Sequence, residues 1–438
     1  MSYATRPPAD PVTGGPVCIS RSGLAGRNIL LNDVRNRLLP NRKQMPEKGP
    51  GQPRPRRSPF PHAMTTPPNQ RPSRRDFLRM LAFGGAALAS GSGLRSYAES
   101  LEKSGGRKLG VALLGLGRYS TGQLGPALRE TKLCRLAGVV SGHADKAAQW
   151  AHDFDLPPKN LYNYENFDRI ADNPDIDIVY VVTPPALHPE FVIRAAKAGK
   201  HVISEKPMAT SVADCDAMIA ACRDAKVKLS IGYRLHFDPY LKELMRLAHD
   251  QDFGAFTKMT GDRGFIQQQH AWRVEKKLAG GGPMMDLGIY IVQAACMATG
   301  QTPVAVTARE EPKTRPDFFN EVEEGIRWTM EFPGGAVCSA VCSFSHISDQ
   351  FRAEAPHGWY ALKEHAFTYR GIVCETSRGP LKFDPPVDQQ ALQMDDFADC
   401  IINGRDTPVP GEMGRRDIAI IEAVYEAART GRRVAVSA

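Results

Sequence analysis

No stretch of the chain stays apolar for the roughly 20 residues that a bilayer-crossing helix requires. The best run, Met80 to Ala89, is too short, so no stable membrane insertion is expected after processing. Metal-ligand patterns are also missing. The nine cysteines include no Cys-x-x-Cys and no clustered Cys/His spacing, so no metal site is expected. Cys338 and Cys342, four apart on an expected strand, would share a face yet stand roughly 13 Å apart, beyond disulfide reach. Buried thiols are expected instead, as in a protein folded in a reducing cytoplasm. Acidic residues are scarce at the start. The first 98 residues hold 4 of the 48 Asp+Glu but 16 of the 56 Lys+Arg. The formal net charge of +8 therefore belongs to the leader, and the remaining chain carries 40 basic against 44 acidic side chains. That balance implies no nucleic-acid partner and no membrane-surface partner. No internal repeat is visible.

The leader has a readable order. Residues 1–72 carry 14 of the 34 prolines and no apolar periodicity, so they cannot bury enough surface to offset their ordering entropy. Residues 1–63 read as a disordered extension or a stretch ahead of the true start, with Met64 a natural initiator. Ser73-Arg74-Arg75-Asp76-Phe77-Leu78 precedes the apolar run, and small residues lead to Ser96-Tyr97-Ala98. Residues 64–98 thus read as a twin-arginine export signal cut after Ala98, which implies the twin-arginine translocase as a partner and a periplasmic destination. That route carries proteins already folded, often around a cofactor.

From Leu109 to Gly232 short apolar runs alternate with helical periods. Strands are expected at Leu109–Leu114, Arg135–Ser141, Ile176–Thr183, His201–Ser204 and Lys228–Gly232, with helices such as Pro189–Ala198 and Ala213–Ala225 between them. Repeated strand–helix–strand units predict a doubly wound parallel sheet covered on both faces. After Gly232 the character changes. Ile326, Trp328, Met330 and Phe332 alternate with polar residues, and Pro333-Gly334-Gly335 reads as a hairpin turn. Ala336, Cys338, Ala340, Cys342 and Phe344 then share one face. A half-buried antiparallel sheet in a second, α+β domain follows, closed by helices near Gln390–Ile402 and Gly414–Arg429. The expected division is a Rossmann domain over 99–232 and a substrate and oligomerisation domain over 233–438.

Four short segments carry chemistry. Gly115-Leu116-Gly117-Arg118-Tyr119-Ser120 follows the first strand and opens a helix. The first glycine permits a tight turn, the second lets backbone approach a pyrophosphate, and the helix start favours its charge. The second strand ends at Ser141-Gly142-His143, where an NAD-specific domain places an acid for the ribose 2′-hydroxyl. Serine leaves room for a 2′-phosphate, with Arg118 and Lys146 as its cations, so NADP is expected in preference to NAD. Glu205-Lys206-Pro207 follows the His201–Ser204 strand at the carboxyl edge, where such sheets bind ligands. Gly280-Gly281-Gly282-Pro283 leads into Met284-Met285-Asp286-Leu287-Gly288-Ile289-Tyr290, where Asp286 and Tyr290 share one helix face. A lysine near Tyr290 would favour its phenolate, making it a proton acceptor and donor for an alcohol/carbonyl pair.

These segments, with SEKPMATSVADCDAMI (204–219), IGYRLHFDPY (231–240), WRVEKKLAGGGPMMDLGIY (272–290) and GRRDIAIIEAVYEAARTGR (414–432), resemble the oxidoreductase family that contains glucose–fructose oxidoreductase and the inositol dehydrogenases. The resemblance covers nearly all of residues 109–434. It implies an N-terminal nucleotide-binding domain and a C-terminal domain with a large open, mainly antiparallel sheet. It also implies Lys206, Asp286 and Tyr290 as the catalytic set. Tyr290 stands where many relatives carry histidine and points towards the glucose–fructose oxidoreductase branch. Thr183, Pro184 and His188 should line the nicotinamide side, with Glu205 at its edge. Trp272 and Arg273 should reach the cofactor, and Arg234 and His236 the sugar. Only Glu99 to Lys108 lie between the expected cut and the first strand, where that enzyme has a long proline-rich arm. The implied activity is an exported NADP-dependent sugar oxidoreductase, acting as a homodimer or homotetramer, with glucose oxidation coupled to fructose reduction on a retained cofactor. A nicotinamide-dependent glycoside hydrolase and a non-catalytic sugar-binding protein are the alternatives.

Overall fold

A computed structural model describes residues 92–384 and 386–437. Arg74, Arg75 and the apolar run of the expected export signal lie outside these residues, as do residues 1–63. The expected cut after Ala98 falls within the first described helix, α1 (Ser92–Lys103). Tyr97 and Leu101 of α1 pack against the core of the first sheet.

That sheet has six strands: β1 (Leu109–Leu114), β2 (Cys134–Val140), β3 (Leu161–Tyr162), β4 (Ile178–Val181), β5 (His201–Ser204) and β6 (Leu229–Ile231). All pairs are parallel, in the order β3-β2-β1-β4-β5-β6. Every residue of β1 and β4 is buried, the pattern of strands covered on both faces. Helices α2 (Gly125–Glu130), α3 (Ala144–Phe154), α4 (His188–Lys197) and α5 (Val212–Asp224) connect the strands. The strand order reverses between β1 and β4, so the crevice beyond their carboxyl ends is the ligand position of a doubly wound sheet. The expected strands all form, with ends displaced by up to two residues and β2 starting one residue earlier than expected.

The chain continues through α6 (Pro239–Asp250), β7 (Lys258–Gly264), the single turn α7 (Lys276–Ala279) and α8 (Ile289–Thr299). Next come β8 (Ala305–Glu310), β9 (Gly325–Glu331), β10 (Val337–Ser343), β11 (Ser348–Ala355), β12 (Gly358–Glu364), β13 (Val373–Thr376) and β14 (Gly379–Leu381). Helices α9 (Gln389–Asn403) and α10 (Gly411–Thr430) and the short β15 (Val434–Ala435) finish the chain. The second sheet runs β14-β13-β12-β11-β7-β10-β9-β8-β15, antiparallel except for the β7–β10 pair. The period-two pattern is realised: Ile326, Trp328 and Met330 are buried while Arg327 is exposed. Helix α8 packs on the buried face so closely that a Cβ on Gly261 of β7 would stand 2.5 Å from Ile291. The eight described cysteines are unpaired and buried.

Helix α9 does not stay with the second sheet. Its apolar stripe, Ala391, Met394, Phe397 and Ala398, joins Leu113, Ile178 and Tyr180 in the core beneath the first sheet. This return layer carries Gln390 and Gln393 to the carboxyl end of β4 and to the glycine loop, which ties both halves of the chain to the crevice.

Candidate active site

The turns after β1, β4, β5 and β6 meet at the crevice. Gly115 has φ of +100°, and a Cβ there would stand 2.6 Å from the carbonyl of Val182, so only glycine fits. A Cβ on Gly117 would meet nothing within 4 Å, which leaves its backbone open to a ligand. Ser120 takes the third position of the motif and closes the loop on itself, its hydroxyl donating to Gly115 O at 2.6 Å. A π-helical turn, Ser120–Leu124, then opens α2. Leu116 is buried and Tyr119 half-buried. At the end of β2, Ser141 is buried, its hydroxyl accepting from the His143 amide at 3.1 Å. Gly142 and Lys146 beside it are exposed. Arg118 points elsewhere: its Nη2 donates to Gln269 at 3.2 Å, on the segment that leads to Trp272.

The next two turns are held together by His188. It is fully buried, with Nε2 at 2.8 Å from Thr183 O and Nδ1 at 3.1 and 3.2 Å from the carbonyls of Pro207 and Met208. Burial pushes its pKa below 6.5, with the backbone bonds opposing. His188 therefore braces the turns behind Thr183-Pro184 and the cis Lys206-Pro207 bond rather than facing the crevice. Thr183 Oγ1 is buried without a hydrogen-bond partner. A buried hydroxyl left unpaired carries a desolvation cost. With the open backbone of Gly117, it fits a polar ligand such as a nicotinamide cofactor.

Lys206, Asp286 and Tyr290 come together. Lys206 Nζ donates to the Asp286 carbonyl at 2.9 Å and to its Oδ1 at 3.4 Å, and lies 4.5 Å from the centre of the Tyr290 ring. A π-helical turn, Met284–Gly288, carries Asp286 and runs into α8, which carries Tyr290. Such turns recur where a side chain must be re-aimed at a site. Gly288 accommodates a close approach of Met284 and Trp328, since a Cβ would stand 2.7 Å from the Met284 sulfur. Asp286 Oδ2 accepts from Arg273 Nε at 2.8 Å, while the Arg273 guanidinium lies 4.4 Å from the Trp272 ring. Burial works against the Asp286 carboxylate, yet Arg273 and Lys206 hold its pKa well below 3.8. Burial likewise disfavours a Tyr290 phenolate, but Lys206, Arg234 and Arg263 lower its pKa below 10.0. Glu205 shows the opposite balance: burial raises its pKa, while Tyr180 OH donates to it at 2.7 Å.

Two expected sugar contacts lie deeper than the sequence suggests. Arg234 is 3 % exposed and donates to the carbonyls of Phe367 at 2.6 Å and Thr368 at 3.1 Å, and to Gln389. It forms the inner wall, 5.5 Å from the Tyr290 ring and 4.3 Å from that of Tyr369. His236 is buried beside Tyr233, and burial, with Arg416 and Lys242, lowers its pKa to about 3. A cavity of about 10 Å³, room for about one water, lies between Lys206, Tyr233, Arg234, Tyr290 and Gln293. A larger depression of about 680 Å³ lies on the open face of the second sheet, away from these titratable groups. Clustered charge, rather than volume, marks the site. Among the described residues no group of His, Cys, Asp or Glu is arranged to hold a metal ion, and no helix is long and apolar enough to cross a membrane.

Four residues outside the motifs, Arg263, Asp349, Glu323 and Tyr425, also pack around the site. The Glu323 carboxylate accepts from the amides of Gly282 at 2.9 Å and Met284 at 3.0 Å and from Tyr425 OH at 2.9 Å, fixing the start of the turn that bears Asp286. A Cβ on Gly281 would stand 2.0 Å from that hydroxyl, which explains the middle glycine of the run. No local motif announces these partners, because they reach the site only through tertiary packing.

Both sheets and the cleft between their edges recur in known proteins. Residues 109–233 match an oxidoreductase family with an NAD-binding Rossmann fold. Residues 241–356 match a GFO/IDH/MocA C-terminal domain, and residues 376–436 an oxidoreductase C-terminal alpha/beta domain. Fold and site together define an oxidoreductase with an NAD(P)-binding Rossmann domain. The chain belongs to the Gfo/Idh/MocA family. It is 43% identical to the aldose-aldose oxidoreductase from Caulobacter crescentus, solved with glycerol, at a TM-score of 0.73, covering 75% of this chain and 100% of that one. D-xylose 1-dehydrogenase [NADP(+)] from Haloarcula marismortui is 29% identical over 334 residues, 73% of this chain and 91% of that protein. scyllo-Inositol 2-dehydrogenase (NAD(+)) from Bacillus subtilis is 25% identical over 317 residues, 68% of this chain and 87% of that protein.

Proposed function

We propose that this protein is an exported, NADP-dependent sugar oxidoreductase that oxidises the carbinol of one sugar and reduces the carbonyl of another. The convergence of Lys206, Asp286 and Tyr290 at the carboxyl edge of the first sheet carries this reading. The backbone of Gly115-Leu116-Gly117, Thr183 Oγ1 and the Ser141–Lys146 corner would hold the cofactor. When bound, a nicotinamide cofactor supplies the hydride acceptor and donor.

The chain's own residues handle the proton. The Tyr290 oxygen takes the hydroxyl proton as a carbinol is oxidised and returns it to the oxygen of a reduced carbonyl. Lys206 favours the phenolate, and Asp286 holds Lys206 in place while Arg273 orients Asp286. The lowered pKa of Tyr290 suits a group that gives up and regains a proton.

Export and cofactor retention belong to the same proposal. An enzyme delivered folded to a compartment without a nucleotide pool must restore its cofactor with a second sugar. Glucose with fructose is one such pair, and the likeness to an aldose-aldose oxidoreductase supports two aldoses equally well. The open face of the second sheet, with half-buried Thr329 and Val341, is the surface on which a homodimer or homotetramer would form.

The test is a nicotinamide absorbance trace on the purified protein. Glucose or xylose is added with no external cofactor, and then fructose or a second aldose. A rise followed by a fall supports retained cofactor and alternating oxidation and reduction. A response only with supplied NADP would replace that with an ordinary dehydrogenase. Silence with every sugar would overturn the proposal.

A further inference from the structure

A third cation, outside every recognisable motif, stands against Tyr290. Arg263 lies near the carboxyl end of β7, its Cζ 4.3 Å from the centre of the Tyr290 ring. That is closer than Arg234 and comparable to Lys206. The guanidinium also lies 5.2 Å from the Phe367 ring, which stacks on Tyr290 with centroids 5.9 Å apart. One contact fixes it: Nη1 donates at 2.9 Å to Asp349 Oδ1, on the residue directly opposite in the β7–β11 register. The two side chains retain only 13 % and 18 % exposure. Arg263 Nε is buried and has no hydrogen-bond partner.

A buried ion pair is weak evidence of a stability role, because desolvation offsets its attraction. An arginine with an unsatisfied donor is a poorer stability device still. Its position is better explained by what it faces. We propose that Arg263, clamped by Asp349, is a positioning residue for proton transfer at Tyr290, holding the ring in place and favouring its phenolate. The inference rests on the reading of Tyr290 as the proton-transfer group.

The other charged and titratable groups around the phenol were brought there by different elements. Glu205 and Lys206 follow β5, and Arg234 follows β6. Arg273 precedes α7, and Asp286 precedes Tyr290 on its own helix. Tyr119 comes from the glycine loop and Tyr369 from the segment after β12. Asp286 is committed to Lys206 and Arg273, while Arg234 bonds two carbonyls and Gln389 and also acts on Tyr290 itself. Cations therefore dominate the field at the phenol, and Arg263 is one of the three that lower its pKa against burial.

The test is a phenolate absorbance titration of the purified protein, with the Tyr290→Phe trace subtracted to isolate Tyr290, run beside the pH profile of kcat/KM. Arg263→Met should raise the Tyr290 pKa by about one unit or more. The acid limb of the profile should move the same way. Arg263→Lys should restore part of the shift. Asp349→Asn should move the pKa down, since Arg263 then faces the phenol without its counter-charge. A merely structural pair would move both variants in one direction. An unmoved titration in Arg263→Met, with turnover lost in Tyr290→Phe, overturns the proposal alone. Wild-type turnover in Tyr290→Phe overturns the underlying reading, and the proposal with it. If Arg263→Met does not fold, Asp349→Asn decides: a downward shift supports the proposal, and no shift or an upward one overturns it.

Discussion

Replacing Asp286 by asparagine tests the centre of the site without changing its shape. The carboxylate is bonded to Arg273 at 2.8 Å and lies 3.4 Å from Lys206, with 14 % of its side chain exposed. Removing one partner of a buried pair costs about 3–5 kcal/mol. Two features reduce that here. Arg273 is 37 % exposed, so water screens it, and Lys206 keeps its 2.9 Å bond to the Asp286 carbonyl. The expected loss is about 2 kcal/mol, allowing for that screening. For a chain of this size it lowers the melting temperature by about 3 °C. The folded-state pKa of Asp286 is depressed below 3.8, so its contribution is present above pH 3.8. It is lost as the pH falls through the depressed value. The difference between wild type and variant should be constant near neutrality and begin to shrink below pH 3.8. Activity should fall by about tenfold to a hundredfold, the worth of a charged hydrogen bond of about 1.5–3 kcal/mol. Thermal melts across pH, with kcat and KM at neutral pH, measure all of this. Wild-type melting at neutral pH, or a deficit that grows as the pH falls below 3.8, would refute the argument.

Three further substitutions probe separate parts of the site. Tyr290→Phe keeps the ring contacts with Phe367, Lys206 and Arg263 but removes the acidic proton. Turnover should drop by about 10²–10⁴-fold with cofactor affinity unchanged, as single-turnover absorbance and a binding titration would report. Ser141→Asp places a carboxylate where a 2′-phosphate would sit, so the ratio of kcat/KM for NAD over NADP should rise at least tenfold. An unchanged ratio would mean that the end of β2 does not read the ribose. Glu323→Ala strips the acceptor from two amides and a tyrosine hydroxyl in a fully buried setting. It should destabilise the protein by about 3 kcal/mol in a denaturant melt, and Glu323→Gln by less, because an amide oxygen still accepts.

The parts of this molecule that can be read from its sequence are those whose cause is local. Strands β1 and β4 are visible because both faces are buried and the run is unbroken, and β9 and β10 because one face is. Gly115 is legible because only a glycine tolerates its positive φ against the Val182 carbonyl. Asp286 and Tyr290 are legible because four residues of helix bring them to one side. What the sequence hides is what depends on distant packing. Helix α9 looks like an ordinary closing helix, yet its stripe seals the first sheet and brings Gln393 to within 2.9 Å of Tyr180 OH, which in turn donates to Glu205. Arg234 and His236 read as sugar contacts, but the segment around Phe367 and Thr368 closes over Arg234 and the core closes over His236. Arg263 is one polar residue in a half-exposed strand until β11 supplies Asp349 and α8 supplies Tyr290. On the proposed reading, the motifs would fix which atoms exchange protons, and Arg263 and Asp349 of the second sheet would set how readily they do so. A relative that keeps lysine, aspartate and tyrosine but changes the residues at 263 and 349 should keep the chemistry and shift its pH dependence.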